Sequence, residues 1–598
     1  MLGLAGLALG FLAARIEADP GAERASARAV IADGLRIWPF GLMDSVRDPF
    51  AVVTMGVQLY NAGAAPVFLD QLELLDDRGD SMARLPLLGE GLAGDRGAVE
   101  ELHQLMEAVS PDLSHRHTHR LFIPLDQRAE LDPETEARML TRIVAGVREL
   151  QAGGAAQLRN LRFAVDLGKV LGAGALPGDS GVLTVVVSGR TADGAAWSAR
   201  LAHEIGLLEA LLGPPAERFG ANGPGAWHAG DLHVHNCRDE AVAGCNSCAA
   251  ESFNITGSFT NAQLKPQFQA LGFDFFSTTT HSYCINDAAE FSAVLSESQT
   301  LTDPSFVLIC GTEISGRETG PQNGGDSADA LCALGFGEAV HHMGAHGVTT
   351  RKPGGSDGFL DFCDAPINAQ SINWAAVNSA GGFTIANHPA AAYWAYNSVA
   401  GIRGQEANGL WGVEVWNGSE NASLFSGPYR DWWLDRLREG RLLYPYSGSD
   451  THDAAYNFGA THTWVPGPLT PANLIAALKS GRNYLSNGPF LEMELRGGSR
   501  TLLMGELLSV PANRVPPNFP VTLELFYNVS AALPSTLTVY RGTLQGETVI
   551  AQVSGLLGGG SAPITDFVPN RSCYWRAEIV NSNSSGSAMT TPVFLRQY

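Results

Sequence analysis

A chain of 598 residues that is 45% hydrophobic and 17% charged has enough apolar content for several cores and is not disordered. Its formal net charge of −22 argues against the clustered basic surface that non-specific binding to nucleic acid or anionic membranes requires. A phosphate substrate is not excluded, because bound divalent cations would invert the local field.

In chain order, the opening M-L-G-L-A-G-L-A-L-G-F-L-A-A is an apolar run too short to span a bilayer comfortably. Its length suits a secretory signal core, although the basic stretch that should precede it is absent. Residues 1–20 are therefore a candidate signal segment, with export to a periplasm or the extracellular medium expected and a cytoplasmic location the alternative. No later segment reads as transmembrane. Residues 28–220 read as a β-rich domain with a helical insertion at 134–147; strands are signalled at 51–63, 67–79, 161–167 and 181–189. The three alternate histidines of S-H-R-H-T-H-R (114–120) lack an interleaved carboxylate and are flanked by arginines, so they read as a solvated strand edge. Residues 491–598 return to strand signals separated by loops rich in Gly, Ser, Asn and Pro, as in a small antiparallel sandwich.

Residues 225–490 differ: apolar strands alternate with amphipathic helices at 261–271, 369–380, 429–439 and 470–480. Each helix is followed by a capping glycine, Gly272, Gly381, Gly440 and Gly481. The expected fold class is α/β: a strand–helix barrel between N-terminal and C-terminal β-sandwich-like domains.

The successive strand ends deliver His233 and His235, then His281, Glu313, His341 and His342, His388, Glu414 and Asn417, and finally Asp450, His452 and Asp453. In an α/β barrel such ends share one face. Imidazole and carboxylate are ligands of zinc, manganese and iron, and a bridging Glu can hold two ions together. One H-x-H alone is a weak signal. Burying ionisable groups at nearly every strand end without cations would be strongly unfavourable, and the joint pattern therefore points to metal.

These motifs, H-V-H (233–235), T-T-H (279–281), G-T-E-I-S (311–315), His342, N-H-P (387–389) and G-S-D-T-H-D (448–453), resemble in order and spacing those of the PHP family of metallohydrolases. Within that superfamily, G-V-E-V-W-N-G (412–418) and A-L-K-S-G-R-N-Y-L-S-N-G-P (477–489) are similar to the CehA/McbA group, named for carbaryl hydrolysis. The resemblance implies a distorted seven-stranded (β/α) barrel and two or three divalent ions (Zn, Mn or Fe). Carried over by position, His233, His235, Glu313 and Asp450 would ligate one ion, and Glu313 would bridge to a second held by His342 and His388. His281 and His452 would hold a third with a carboxylate after the first motif, for which Asp239 and Glu240 are both candidates and Glu240 is taken.

Two cations sharing Glu313 would lower the pKa of a bridging water. The expected activity is hydrolysis of a small ester or carbamate, with Glu313 and Asp450 central and His341 a candidate general acid. A PHP-type phosphoesterase and a non-catalytic metal- or carbohydrate-binding module are the alternatives. The implied partner is a small-molecule substrate, with no nucleic acid and no membrane span.

The trio Cys237, Cys245 and Cys248 lacks the second pair that a zinc knuckle needs. Cys237 and Cys284, each a few residues past ligands of neighbouring strands, are expected to approach a bridging distance, with Cys245 and Cys248 offering a competing pairing, either with each other or with one of these two. Thr280 stands where the family's T-D-H motif carries Asp. The third ion should therefore be weak, and Thr280→Asp should raise its occupancy by about 10–100-fold in affinity, read as metal content under limiting metal. Three ions retained by the wild type through exhaustive dialysis would contradict this.

Overall fold

The computed structural model describes residues 35–94 apart from 40 and 62, 158–218, 223–239, 248, 259–285, 287–316, 341–352, 375–389, 410–418, 424, 427–516 and 518–598. The candidate signal segment, the histidine run 114–120, the helical stretch 134–147, Glu240 and Cys245 lie outside them, as does the side chain of His341.

Eight strands come first: β1 (Leu35–Trp38), β2 (Ser45–Val46), β3 (Val52–Asn61), β4 (Val67–Leu75), β5 (Ser81–Leu92), β6 (Leu158–Asp166), β7 (Ser180–Thr191) and β8 (Ala196–Leu207), with a short helix α1 (Leu167–Leu171). They form two sheets, β1-β3-β6 and β2-β8-β7-β4-β5. The period-2 burial of β7 shows why: Leu183, Val185 and Val187 are buried, while the residues between them are partly exposed. These side chains share a core with Met55, Val57 and Phe163 of the other sheet and with Leu264 and Phe268 of helix α2 (Asn261–Ala270).

The central strands are β9 (Gly225–Val234), β10 (Phe275–Thr278), β11 (Val307–Gly316), β12 (His341–His346), β13 (Phe383–Ala386), β14 (Leu410–Asn417), β15 (Tyr444–Gly448) and β16 (Ala460–Pro466). Between or after them come α2, α3 (Ala288–Leu301), α4 (Pro428–Arg438) and α5 (Pro471–Ser480). Thr260 caps α2 through a full capping box with Gln263, and Thr470 caps α5. Gly272, Gly381, Gly440 and Gly481 all take positive φ, as helix-ending glycines do.

The expected barrel of alternating strands and helices is not what forms. The described residues are 50% strand and 15% helix. The central strands run in the order β15-β14-β13-β12-β11-β10-β9-β16 within a fifteen-stranded mixed sheet that continues into the C-terminal segment. Strands β9, β10 and β11 pair parallel, and so do β13, β14 and β15. However, β12 is antiparallel to both neighbours, and β16 is antiparallel to β9. Apolar runs identify strands but carry no information on direction or partner, which long-range pairing decides. Leu232, Phe275, Val307, Ile309, Phe383 and Ile385 form the core beneath this sheet, covered by Leu474 and Leu478 of α5.

The C-terminal strands are β17 (Asn483–Ser486), β18 (Phe490–Gly497), β19 (Arg500–Leu503), β20 (Leu507–Val510), β21 (Pro520–Asn528), β22 (Ser535–Thr543), β23 (Gly546–Leu556), β24 (Gly559–Phe567), β25 (Cys573–Asn581), β26 (Ser587–Thr590) and β27 (Val593–Gln597). The sheet β19-β18-β21-β24 faces the extension β17-β26-β25-β22-β23 across an apolar core that includes Trp575. No helix among the described residues is long and apolar enough to cross a membrane.

Arg47 joins the three regions. Its guanidinium donates to Leu271 O (3.3 Å), Asn457 Oδ1 (3.0 Å) and Asn487 O (2.8 Å), and its backbone N–H donates to Ala270 O (2.7 Å). Arg47→Ala removes three charge-assisted hydrogen bonds, so a loss of about 2–4 kcal/mol is expected, read as a lower urea midpoint. An unchanged midpoint would show that the junction does not depend on this side chain.

Candidate metal centre

The central strands place their ionisable side chains at one end of the sheet. His233 lies in β9 and His235 just past it; His281 follows β10; Glu313 lies in β11; His388 follows β13; Asp450 and His452 follow β15. His342 reaches the same end differently: because β12 is antiparallel, it sits at the start of its strand, opposite Ser315 of β11. The expectation that this strand delivers its histidines at its C-terminal end is thereby corrected.

The chain after β15 turns onto the end of β9. Asp450 N–H donates to His233 O (2.8 Å), His235 N–H donates to Thr451 O (3.0 Å), and Val234 and Thr451 form a parallel bridge. Asp231 ties the same two segments together by accepting from His233 N (2.9 Å) and Ser449 N (3.0 Å). Burial pushes the Asp231 carboxyl up to about 7, against those hydrogen bonds. Asp450 and His388 both take positive φ, 54° and 26°, a conformation that non-glycine residues rarely adopt.

The result is a buried cluster of eight side chains: His233, His235, His281, Glu313, His342, His388, Asp450 and His452. Their donor atoms gather in four overlapping groups, His233/His235/Asp450, His233/Glu313/His388, His281/Glu313/His342 and His235/His281/His452, each within 4.8 Å. Glu313 is the shared carboxylate. Its Oε1 lies 3.1 Å from His233 Nε2, 3.2 Å from His342 Nδ1 and 3.3 Å from His388 Nε2. Its Oε2 lies 3.0 Å from His281 Nδ1 and 3.4 Å from His235 Nε2. Asp450 Oδ1 lies 3.2 Å from Nε2 of both His233 and His235.

The outer nitrogens decide what this cluster accepts. His233 Nδ1 is 2.9 Å from Glu414 Oε1, and His235 Nδ1 is 2.7 Å from Asp239 Oδ2. A proton held on each Nδ1 by its carboxylate leaves each Nε2 as a lone pair. Those two Nε2 atoms stand 3.0 Å apart, both facing Asp450 Oδ1. Lone pairs of imidazole and carboxylate that converge in this way repel unless a positive charge lies among them. The donor set therefore fits a divalent cation of the zinc, manganese or iron class.

A proton competes with a cation for these inner rings. Burial disfavours a charged His233, yet the carboxylates of Asp450, Glu313 and Glu414 hold it well above the usual imidazole range. Burial is likewise outweighed at His235, which Asp239 holds up at about 10. Glu313 stays well below the ordinary carboxylate range despite its burial, through His342 and His233. His342 is pushed down to about 3 by burial, against the pull of Glu313.

Several residues of the site had no role assigned from sequence. Glu414 orients His233 and also accepts from His388 N (2.8 Å) and Asn417 Nδ2 (3.1 Å). Asn387 Nδ2 donates to Glu313 Oε1 at 2.9 Å. In the sequence both lie in strand-end motifs, N-H-P (387–389) and G-V-E-V-W-N-G (412–418), which do not say what either residue does. Asp239 engages neighbours with both oxygens, Oδ2 with the His235 ring and Oδ1 accepting from the backbone His281 N (2.7 Å), and it belongs to none of the four groups. Thr280 is buried beside Glu313, and its carbonyl accepts from Glu313 N at 3.1 Å.

The cysteine expectation is also corrected. Cys237 pairs with Cys248, with Cα atoms 4.7 Å apart, and not with Cys284. That disulfide leaves Cys237 and Cys248 unavailable to zinc. Cys284 is disulfide-bonded as well. A sequence separation of 11 closes at lower entropic cost than the longer loop that a bond from Cys237 to Cys284 would close.

No protein-family model matches the chain, and no curated protein matches it. Among solved structures, the β-glucuronidase of Parabacteroides merdae is 10% identical over 94% of this chain and 65% of that chain, with a TM-score of 0.17. A putative β-galactosidase from Bacteroides fragilis is 10% identical over 96% of this chain and 75% of that chain, with a TM-score of 0.18. The chain thus spans 65% of the length of the glucuronidase. Superpositions this poor carry no argument about fold or activity.

Gly448 packs directly against the cluster: a Cβ there would lie 2.3 Å from His233 Cβ and 2.5 Å from Glu414 Oε1. Gly448→Ala should displace His233, and Glu414→Gln should weaken its orientation, each reducing affinity for zinc or manganese by about 10–100-fold. Metal titration of the two variants tests this, and wild-type affinity in both would refute the orienting role of Glu414.

Proposed function

We propose that this chain is a metal-dependent hydrolase that cleaves a small ester or carbamate. The observation that carries the reading is the convergence of two imidazole lone pairs on Asp450 Oδ1 and Glu313, with the outer ring protons taken by Glu414 and Asp239. The order of the motifs along the chain and their resemblance to PHP-type, CehA/McbA-like metallohydrolases supports the same reading. Two or three divalent ions are proposed, of zinc, manganese or iron.

The bound ions would supply an activated water and Lewis-acid polarisation of the scissile group. The chain's own residues do the rest. Glu313 presents one oxygen to His233, His342 and His388 and the other to His281, a placement suited to a bridging carboxylate. Asn387 fixes Glu313 Oε1 by a hydrogen bond, and Asn417 Nδ2 lies 3.3 Å from Asp450 Oδ2. His341 is retained as the candidate proton donor on sequence grounds. The Cys237–Cys248 disulfide supports an oxidising compartment and so an exported protein.

Glu313→Ala should abolish turnover of an aryl ester and an aryl carbamate and release about one metal equivalent or more. Retained turnover with unchanged metal content would overturn the bridging role. In a substrate panel, preference for a phosphodiester would transfer the site to phosphoester chemistry. Full metal content with no turnover of any class would leave a binding module.

A further inference from the structure

The C-terminal sandwich contains a cavity of about 130 Å³, far along the chain from the metal ligands. It lies between the two sheets where β18, β19 and β21 face β20, β25 and β27, under the chain segment that joins β20 to β21. Its walls are apolar, with Leu508, Phe519, Val521 and Trp575 among them. Trp575 is wholly buried, and its indole N–H donates to Asp566 Oδ2 at 2.8 Å, so its polar edge is satisfied and only ring surface remains for the cavity. An apolar cavity of roughly 150 Å³ is large enough to hold one benzene-sized group.

Two arginines complete the lining. Arg500 opens β19, and Arg514 lies in the short 3-10 turn Ala512–Arg514 after β20; both are exposed. Neither has a carboxylate within ion-pair distance among the described residues. Their neighbours differ: Arg496 pairs with Glu494 (2.9 Å), Arg541 with Asp566 (2.8 Å) and Arg576 with Glu547 (2.6 Å). In a chain of net charge −22, these two arginines place uncompensated positive charge at one apolar cavity. A guanidinium presents its donors in a planar fork that matches a carboxylate.

We propose that this cavity is a binding site for a small amphipathic carboxylate. Its apolar body, an aromatic ring or a short acyl chain of similar volume, fills the space above Trp575, and its carboxylate meets Arg500 and Arg514. The site is separate from the metal centre and does not depend on the activity proposed for it.

Benzoate titrated calorimetrically into the full-length protein tests this. One benzoate should bind per chain with a Kd of about 0.1–1 mM, while benzyl alcohol, lacking the charge, and acetate, lacking the ring, should bind at least about tenfold more weakly. Arg500→Gln combined with Arg514→Gln should weaken benzoate at least about tenfold without altering metal content, and Val510→Trp should abolish binding by filling the cavity. Glu313→Ala should keep the benzoate site, which separates it from carboxylate coordination at the metal centre. Benzoate binding that survives the double arginine substitution, or no binding up to about 20 mM, overturns the proposal.

Discussion

Everything at the centre of this protein turns on a conflict of like lone pairs. Two histidine Nε2 atoms 3.0 Å apart face the same Asp450 oxygen, inside a region from which water is excluded. Such an arrangement persists only if positive charge neutralises it, and the surroundings are organised to prevent the rings from turning away. Glu414 and Asp239 hold the outer nitrogens, Asp231 pins the backbone of His233 to that of Ser449, and Gly448 leaves no room for a side chain where His233 passes. The rings are thus fixed before any ion binds, which lowers the ordering entropy that binding must overcome.

The same logic explains what was legible in the sequence. Histidines and acids at the ends of apolar runs are visible as pattern, because a strand end is marked by a switch from apolar to polar residues. Eight of the side chains expected at the site do lie together: His233, His235, His281, Glu313, His342, His388, Asp450 and His452. Strand direction was not legible. The antiparallel course of β12 leaves no trace in H-H-M-G-A-H, since alternation reads the same from either end. Nor were the supporting contacts of Glu414 and Asn387, because a residue that orients another differs from an ordinary buried polar residue only in its partner. The Cys237–Cys248 pairing was among the open alternatives and not the favoured one, because strand order does not determine which loop cysteines meet.

Buried and half-buried arginines knit the units together. Arg218, in the segment entering β9, donates to Glu492 at 2.9 Å and also pairs with Glu494, both on β18; Arg482 joins Glu492 from the end of α5 at 2.7 Å. On the far side, wholly buried Arg576 pairs with Glu547 and Glu578, and Glu578 in turn takes Arg430 of α4 at 3.0 Å. Each of these pairs requires its partner, because a lone charge left in such surroundings would be far more costly than the intact pair is stabilising.

The antiparallel pairing of β16 with β9, and of β17 with β16 and β26, has a consequence for how this architecture diversifies. The ladder that carries His233 runs without a break into the C-terminal sandwich. That sandwich is therefore not a bead on a string. Cutting the chain after β17 would strip a buried strand of its neighbour and leave an open row of backbone donors and acceptors, a ready template for intermolecular pairing. An exchange of domains at this seam would have to supply a new partner strand as well as a new chain connection.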